Sequence, residues 1–138
     1  MIPRPAFIIV LMMLFCGCAL PKQPPLNANE KLFIGQLQES CQCEIIREVD
    51  PYIEKDSERE GGYLLLMKKL PCSVIDNRDE LRSKSDAITK KLLAEVLTAD
   101  FKYKFDVITI AYGCDSNNYT NSYSYDYTIE NNQIVSVE

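Results

Sequence analysis

The chain has 138 residues, with 15 Lys plus Arg against 20 Asp plus Glu and a formal net charge of −5. That length suits one domain, and 46% apolar with 25% charged residues is a globular rather than a disordered composition. The acidic balance argues against nucleic acid or anionic lipid as the main partner, and the lack of any His removes the commonest general base near neutral pH and the commonest ligand of catalytic zinc.

The N-terminus carries one positive side chain, Arg4, ahead of an unbroken apolar run from Ala6 to Phe15. A bilayer-spanning helix needs about 20 apolar residues, and Pro21, Pro24 and Pro25 block extension of this run. A basic start, a short apolar middle and small residues after it have the layout of a secretory signal peptide. The run ends in "LFCGC", Leu14 to Cys18. This stretch resembles the lipobox of bacterial lipoproteins, in which a small residue directly precedes the lipidated cysteine. Gly17 before Cys18 fits that pattern and the bulky Phe15 before Cys16 does not; Phe15 also stands where the family usually has Leu. The resemblance covers about the first 18 residues. It implies a signal peptide over 1–17, diacylglyceryl transfer to Cys18, cleavage after Gly17 and N-acylation, so that the only cofactor is a covalent lipid, palmitate-like, on Cys18. Ala19, being other than Asp, further implies outer-membrane sorting in enteric-type hosts. Two or three acyl chains hold a domain essentially permanently, whereas one binds marginally. Residues 18–26 then read as the lipidated cysteine and a Pro-rich tether. Its eight residues from Ala19 to Leu26 reach roughly 25 Å if polyproline-like.

The single domain is expected over 27–138. Asn27 and Glu30 stand at capping-box spacing, and Leu32, Phe33, Ile34 and Leu37 give the helix that follows an apolar face up to about Ser40. Cys43 to Val49 reads as a strand that Asp50-Pro51 ends or bends. Lys55 to Gly62 is a charged loop closed by two glycines, and Tyr63 to Leu70 is a second strand. Asp76 to Asp100 is the strongest helix: Leu81, Ser85, Ile88, Leu92, Val96 and Ala99 recur at three- to four-residue spacing, with a break possible near Lys84. Lys102 to Tyr112 is β-branched and aromatic with an apolar centre on both faces, the pattern of an inner strand. Tyr119 to Ile129 and Gln133 to Val137 flank Asn131-Asn132, a two-residue hairpin turn that would set Ile129 opposite Ile134 and Tyr127 opposite Ser136. The fold class is therefore α+β: a mostly antiparallel sheet of about four or five strands with two helices on one face, in the order α-β-β-α-β-β-β.

Cys41, Cys43, Cys72 and Cys114 remain after export, and four cysteines in an exported chain read as two disulfides with three possible pairings. A bridge between Cys41 and Cys43 would be strained. An antiparallel hairpin of the first two strands would bring Cys43 to Cys72 and leave Cys41 for Cys114. Metal binding is disfavoured, because C-x-C with two distant cysteines and no His makes a poor zinc site.

Few residues suggest chemistry. Glu54, Asp56, Glu58 and Glu60 share one loop, but a glycosidase needs two carboxylates fixed across a cleft. Asp115 and Asn117 in an oxygen-rich turn hint at calcium but lack the mid-loop Gly and the bidentate Glu of an EF-hand. The clearest surface clue is "YTNSYSYDYTI", which puts Tyr119, Tyr123, Tyr125 and Tyr127 on one strand face. Those rings either cover the helices, since a tyrosine hydroxyl can still reach water, or form an exposed aromatic strip for sugars or a partner protein. The expected function is a membrane-anchored bacterial envelope lipoprotein, outer membrane and facing the periplasm, whose domain binds or scaffolds without catalysis. Its partners would be the membrane through the anchor and an envelope protein complex or cell-wall glycan, with no nucleic acid and no metal. Two alternatives stand beside it: an envelope enzyme or enzyme inhibitor using the acidic loop or the tyrosine face, and a secreted disulfide domain without lipid.

Overall fold

The computed structural model describes residues 22–50, 53–54, 61–115 and 120–138. The expected signal peptide, Cys18, most of the acidic loop and Tyr119 lie outside the described residues. Helix α1 (Ala28–Cys41) leads into β1 (Glu44–Asp50), and the two-residue β2 (Ile53–Glu54) precedes β3 (Gly62–Lys68). Helices α2 (Cys72–Asp76) and α3 (Arg78–Glu95) follow, then the short β4 (Tyr103–Lys104), β5 (Val107–Asp115), β6 (Thr120–Glu130) and β7 (Gln133–Val137).

The fold is α+β, built on a five-stranded sheet of order β1-β3-β5-β6-β7, with β2 and β4 forming a separate two-stranded ribbon. Three pairings in the large sheet are antiparallel, but β3 and β5 run parallel, so the sheet is mixed. A parallel pair needs a long crossover. Here residues 69–106 supply it, carrying both α2 and α3.

Strand alternation sorts the side chains. Ile45, Arg47 and Val49 of β1, Tyr63, Leu65 and Met67 of β3, Ile108, Ile110 and Tyr112 of β5, and Tyr125, Tyr127 and Ile129 of β6 share the buried face. Phe33 and Ile34 from α1 and Leu81, Leu92 and Leu93 from α3 close that core. The opposite face carries no helix among the described residues. It is mixed in character, with Ile46, Leu64, Leu66 and Ala111 half-buried and Glu48, Ser124 and Asp126 exposed.

Several expected boundaries move. The capping box at Asn27 and Glu30 forms, each side chain accepting from the other's backbone N–H at 2.8 Å. The long helix is unbroken at Lys84, begins at Arg78 and ends at Glu95, and Thr89 takes a buried place on its inner face while Ala99 is exposed. The stretch from Lys102 to Tyr112 is two strands, because the backbone turns at Asp106, whose N–H donates to Gly61 and whose carbonyl accepts from Ile129. Asn131 and Asn132 both take positive φ, 50° and 60°, as a tight hairpin demands. Ile129 does face Ile134, but a register shift between Thr128 and Ile129 sets Tyr127 opposite Val137 rather than Ser136. The extra residue, Val135, bulges at the sheet edge and is 52% exposed.

The last part of the expected tether belongs to the domain. Gln23 Oε1 accepts from the Val49 N–H, Pro24 O accepts from Arg47, and Leu26 packs against the core. The reason is that β1 is an edge strand with unpaired N–H groups, which this segment satisfies.

Candidate functional site

Three places could carry function: the first turn of α1, the tyrosine strand β6, and the seam between α1 and α3.

At the first, Glu30 is 2% exposed and accepts the Tyr63 hydroxyl at 2.9 Å. Arg47 Nε lies 3.1 Å from Glu30 Oε1, with both side chains almost fully buried. Arg47 Nη2 donates to Pro24 O at 2.7 Å. Burial, then the neighbouring Glu30, pushes the Tyr63 hydroxyl well above its ordinary pKa, so it stays a donor. The capping-box spacing pointed to Glu30 as a cap, but the pair with Arg47 was not foreseen. Its signal was present: Arg47 alternates in phase with Ile45 and Val49 and so had to face inward.

On β6, Tyr125 and Tyr127 pack under α3. Tyr127 is fully buried and donates to Asp86 Oδ1 at 2.7 Å, and Tyr125 is 6% exposed and donates to Arg78 O at 3.0 Å. Tyr123 stays partly open, with the Arg78 guanidinium 3.6 Å above its ring. Tyr119 lies outside the described residues; Tyr125 and Tyr127, being buried, do not join an exposed strip. The neighbouring Tyr112 hydroxyl is hydrogen-bonded to Ser85 at 2.6 Å and is pushed up to about 12 by burial.

The cysteines pair otherwise than expected. Cys72 bonds Cys114, and Cys41 bonds Cys43. The register explains it: Glu44 opposite Lys68 carries the chain past Cys43 at Lys69, which takes a positive φ of 61°. The Leu70 N–H then donates to Gly113 O, turning Cys72 toward the end of β5. Gln42 is left-handed at the end of α1 and brings its two flanking cysteines together. Asp115 ends β5 on the surface, while Asn117 and Asp56 to Glu60 lie outside the described residues. Among the described residues no group of three or more His, Cys, Asp or Glu is placed to hold a metal.

Among the described residues, the seam between α1 and α3 is lined mainly by apolar side chains. Two depressions lie end to end along it, about 240 and 200 Å³ in volume, sharing Leu37, Ser40, Ala87 and Ile88. Met67 and Tyr112 floor the larger one, and Phe33 closes the smaller. Among the described residues, the charged side chains lining them are Lys84 and Lys91. Sequence reading treated Leu37 and Ile88 as ordinary core-facing residues. Both are only half-buried, and both line the two depressions.

No family model, no curated protein and no solved structure matches this chain.

Proposed function

We propose that the protein is an exported bacterial envelope lipoprotein, held in the membrane through lipid on Cys18, whose α+β domain binds or scaffolds rather than catalyses. The stretch "LFCGC" carries the reading: a short apolar run that ends in a small residue directly before Cys18. The bond between Cys72 and Cys114 supports export, since lasting disulfides belong to oxidising compartments. Ala19 favours the outer membrane, and the open seam between α1 and α3 supports a binding rather than a purely structural domain.

The test is metabolic labelling with an alkyne fatty acid in a bacterial host. The wild-type chain takes up label, Cys18→Ala loses it, and Cys16→Ala keeps it. Label that persists in Cys18→Ala overturns the anchor.

A further inference from the structure

We infer that the seam between α1 and α3 is a docking groove for an acidic amphipathic helix of a partner protein. This inference deepens the proposed binding role and rests on it. The groove is apolar at its base, with Met67 and Tyr112 buried beneath it and Leu37, Val74, Leu81 and Ile88 along its walls. From Leu81 to Lys91 it follows α3 for roughly 15 Å, nearly three helical turns.

Three observations select the occupant. The first is charge. In a chain of net charge −5, no carboxylate among the described residues lines the two depressions, and the charged side chains that do are Lys84 and Lys91. These are seven residues apart on α3 and therefore on one side of it, two turns apart. Acidic side chains at the same seven-residue spacing on a second helix would meet both. Lys84 pairs with Glu80 at 3.1 Å, but both side chains are more than half exposed, and such a pair holds its partners weakly. Lys91 Nζ lies 6.0 Å from the Phe33 ring.

The second is shape. The opening is two adjoining depressions rather than one tunnel, as suits two apolar anchors one or two turns apart on an inserted helix. The third is openness. The seam is a surface groove whose rim residues Ser40, Ala87, Lys84 and Lys91 are exposed. A fatty acyl chain lying there would leave much of its apolar surface in water, whereas an amphipathic helix has a polar face to turn outward. A second copy docked groove to groove would set the same lysines against each other.

The probe is a fluorescein-labelled 18-residue peptide with leucines repeating along one helical face, glutamates flanking them and alanine and glutamine elsewhere. The full chain is held in nanodiscs of phosphatidylcholine, with empty discs as the control. The expected result is saturable binding that Ala87→Trp abolishes and that the double variant Lys84→Glu, Lys91→Glu weakens about tenfold, rim charges contributing modestly each. The sharpest arm is a peptide carrying lysines in place of the glutamates: it should bind the doubly reversed variant and not the wild type. Ala87, Lys84 and Lys91 are exposed, so these variants keep the fold, and circular dichroism checks it. Equal binding of the acidic peptide to wild type and Ala87→Trp overturns the proposal, as does equal binding of the two peptides to wild type. Palmitate that enters the groove and excludes the peptide overturns it in favour of an acyl ligand. Self-association that Ala87→Trp abolishes, without peptide binding, overturns it in favour of a second copy. Failure of the anchor is separate: it appears as a wild-type chain that takes up no acyl label or as label retained in Cys18→Ala, and the peptide assay then runs on the same chain in buffer.

Discussion

Helix α1 meets the rest of the molecule in opposite ways at its two ends. Its first turn is sealed: Glu30, Arg47 and Tyr63 are buried together, with Pro24 laid over them. Its last two turns are open: Leu37 and Ser40 look across a gap at Ala87 and Ile88. The expensive polar groups are thus where water is excluded, and the apolar groups are where it is not. A buried ion pair is costly to leave unpaired and contributes little net stability when intact, so the sealed end fixes how α1 sits on the sheet. An open apolar seam contributes less than it could to folding, and that unused surface remains for binding.

The comparison breaks most sharply at Arg47. Arg47→Ala strands a buried carboxylate and should cost about 4 kcal/mol of stability in urea unfolding, while Glu30→Leu with Arg47→Met should cost far less than the two single changes added together. A double variant as unstable as that sum would mean that Glu30 and Arg47 act independently and that no coupling joins them. Next in size, removing the Cys72–Cys114 bond as a Cys72→Ser, Cys114→Ser variant opens a connection spanning 42 residues and should cost roughly 3–4 kcal/mol. The same change at Cys41 and Cys43, which are two residues apart, should cost about 1.5 kcal/mol.

Alkaline pH tests the buried hydroxyls. Tyr63, Tyr112 and Tyr127 all titrate above the ordinary tyrosine value, chiefly through burial. The unfolded chain releases these protons near pH 10 while the folded chain keeps them. Their stabilising effect is therefore complete below about pH 10 and is lost as pH rises toward the folded values. Tyrosinate absorbance should show these three ionising only together with loss of the circular dichroism signal, and Tyr127→Phe should flatten the decline. Ionisation of all described tyrosines near pH 10 with the fold intact would contradict this. The smallest effect belongs to the open end of α1: Lys91→Glu should change stability by less than about 0.5 kcal/mol, since the side chain is exposed. A larger loss would mean that the seam is braced by that lysine rather than left free for a partner.

Local patterns were legible where one element decides its own conformation. Asn27 with Glu30, Asn131 with Asn132, and the periodicity of Leu81, Ser85 and Leu92 each act within a few residues, and each appears in the fold. What escaped depended on partners distant in sequence. Cys72 could be paired with Cys114 only by knowing where Lys69 turns the chain, and Tyr127 faces Val137 only because Val135 bulges. The split of Lys102 to Tyr112 into two strands depends on Gly61 and Ile129, which flank Asp106 from elsewhere in the chain. The tyrosines of β6 had two readings in sequence, cover for the helices or exposed strip, and only the position of α3 selects cover for Tyr125 and Tyr127.

The sequence by itself determined the capped first helix and the terminal hairpin, because each depends on neighbours within a few residues, and the α+β class, because it follows from the order of such local elements. Only the tertiary structure decided that β3 and β5 run parallel, that Cys72 bonds Cys114, that Arg47 is buried against Glu30 and that side chains of α1 and α3 line a shared groove. These depend on how far apart whole elements settle, which is set by the packing of many side chains at once and by no local pattern.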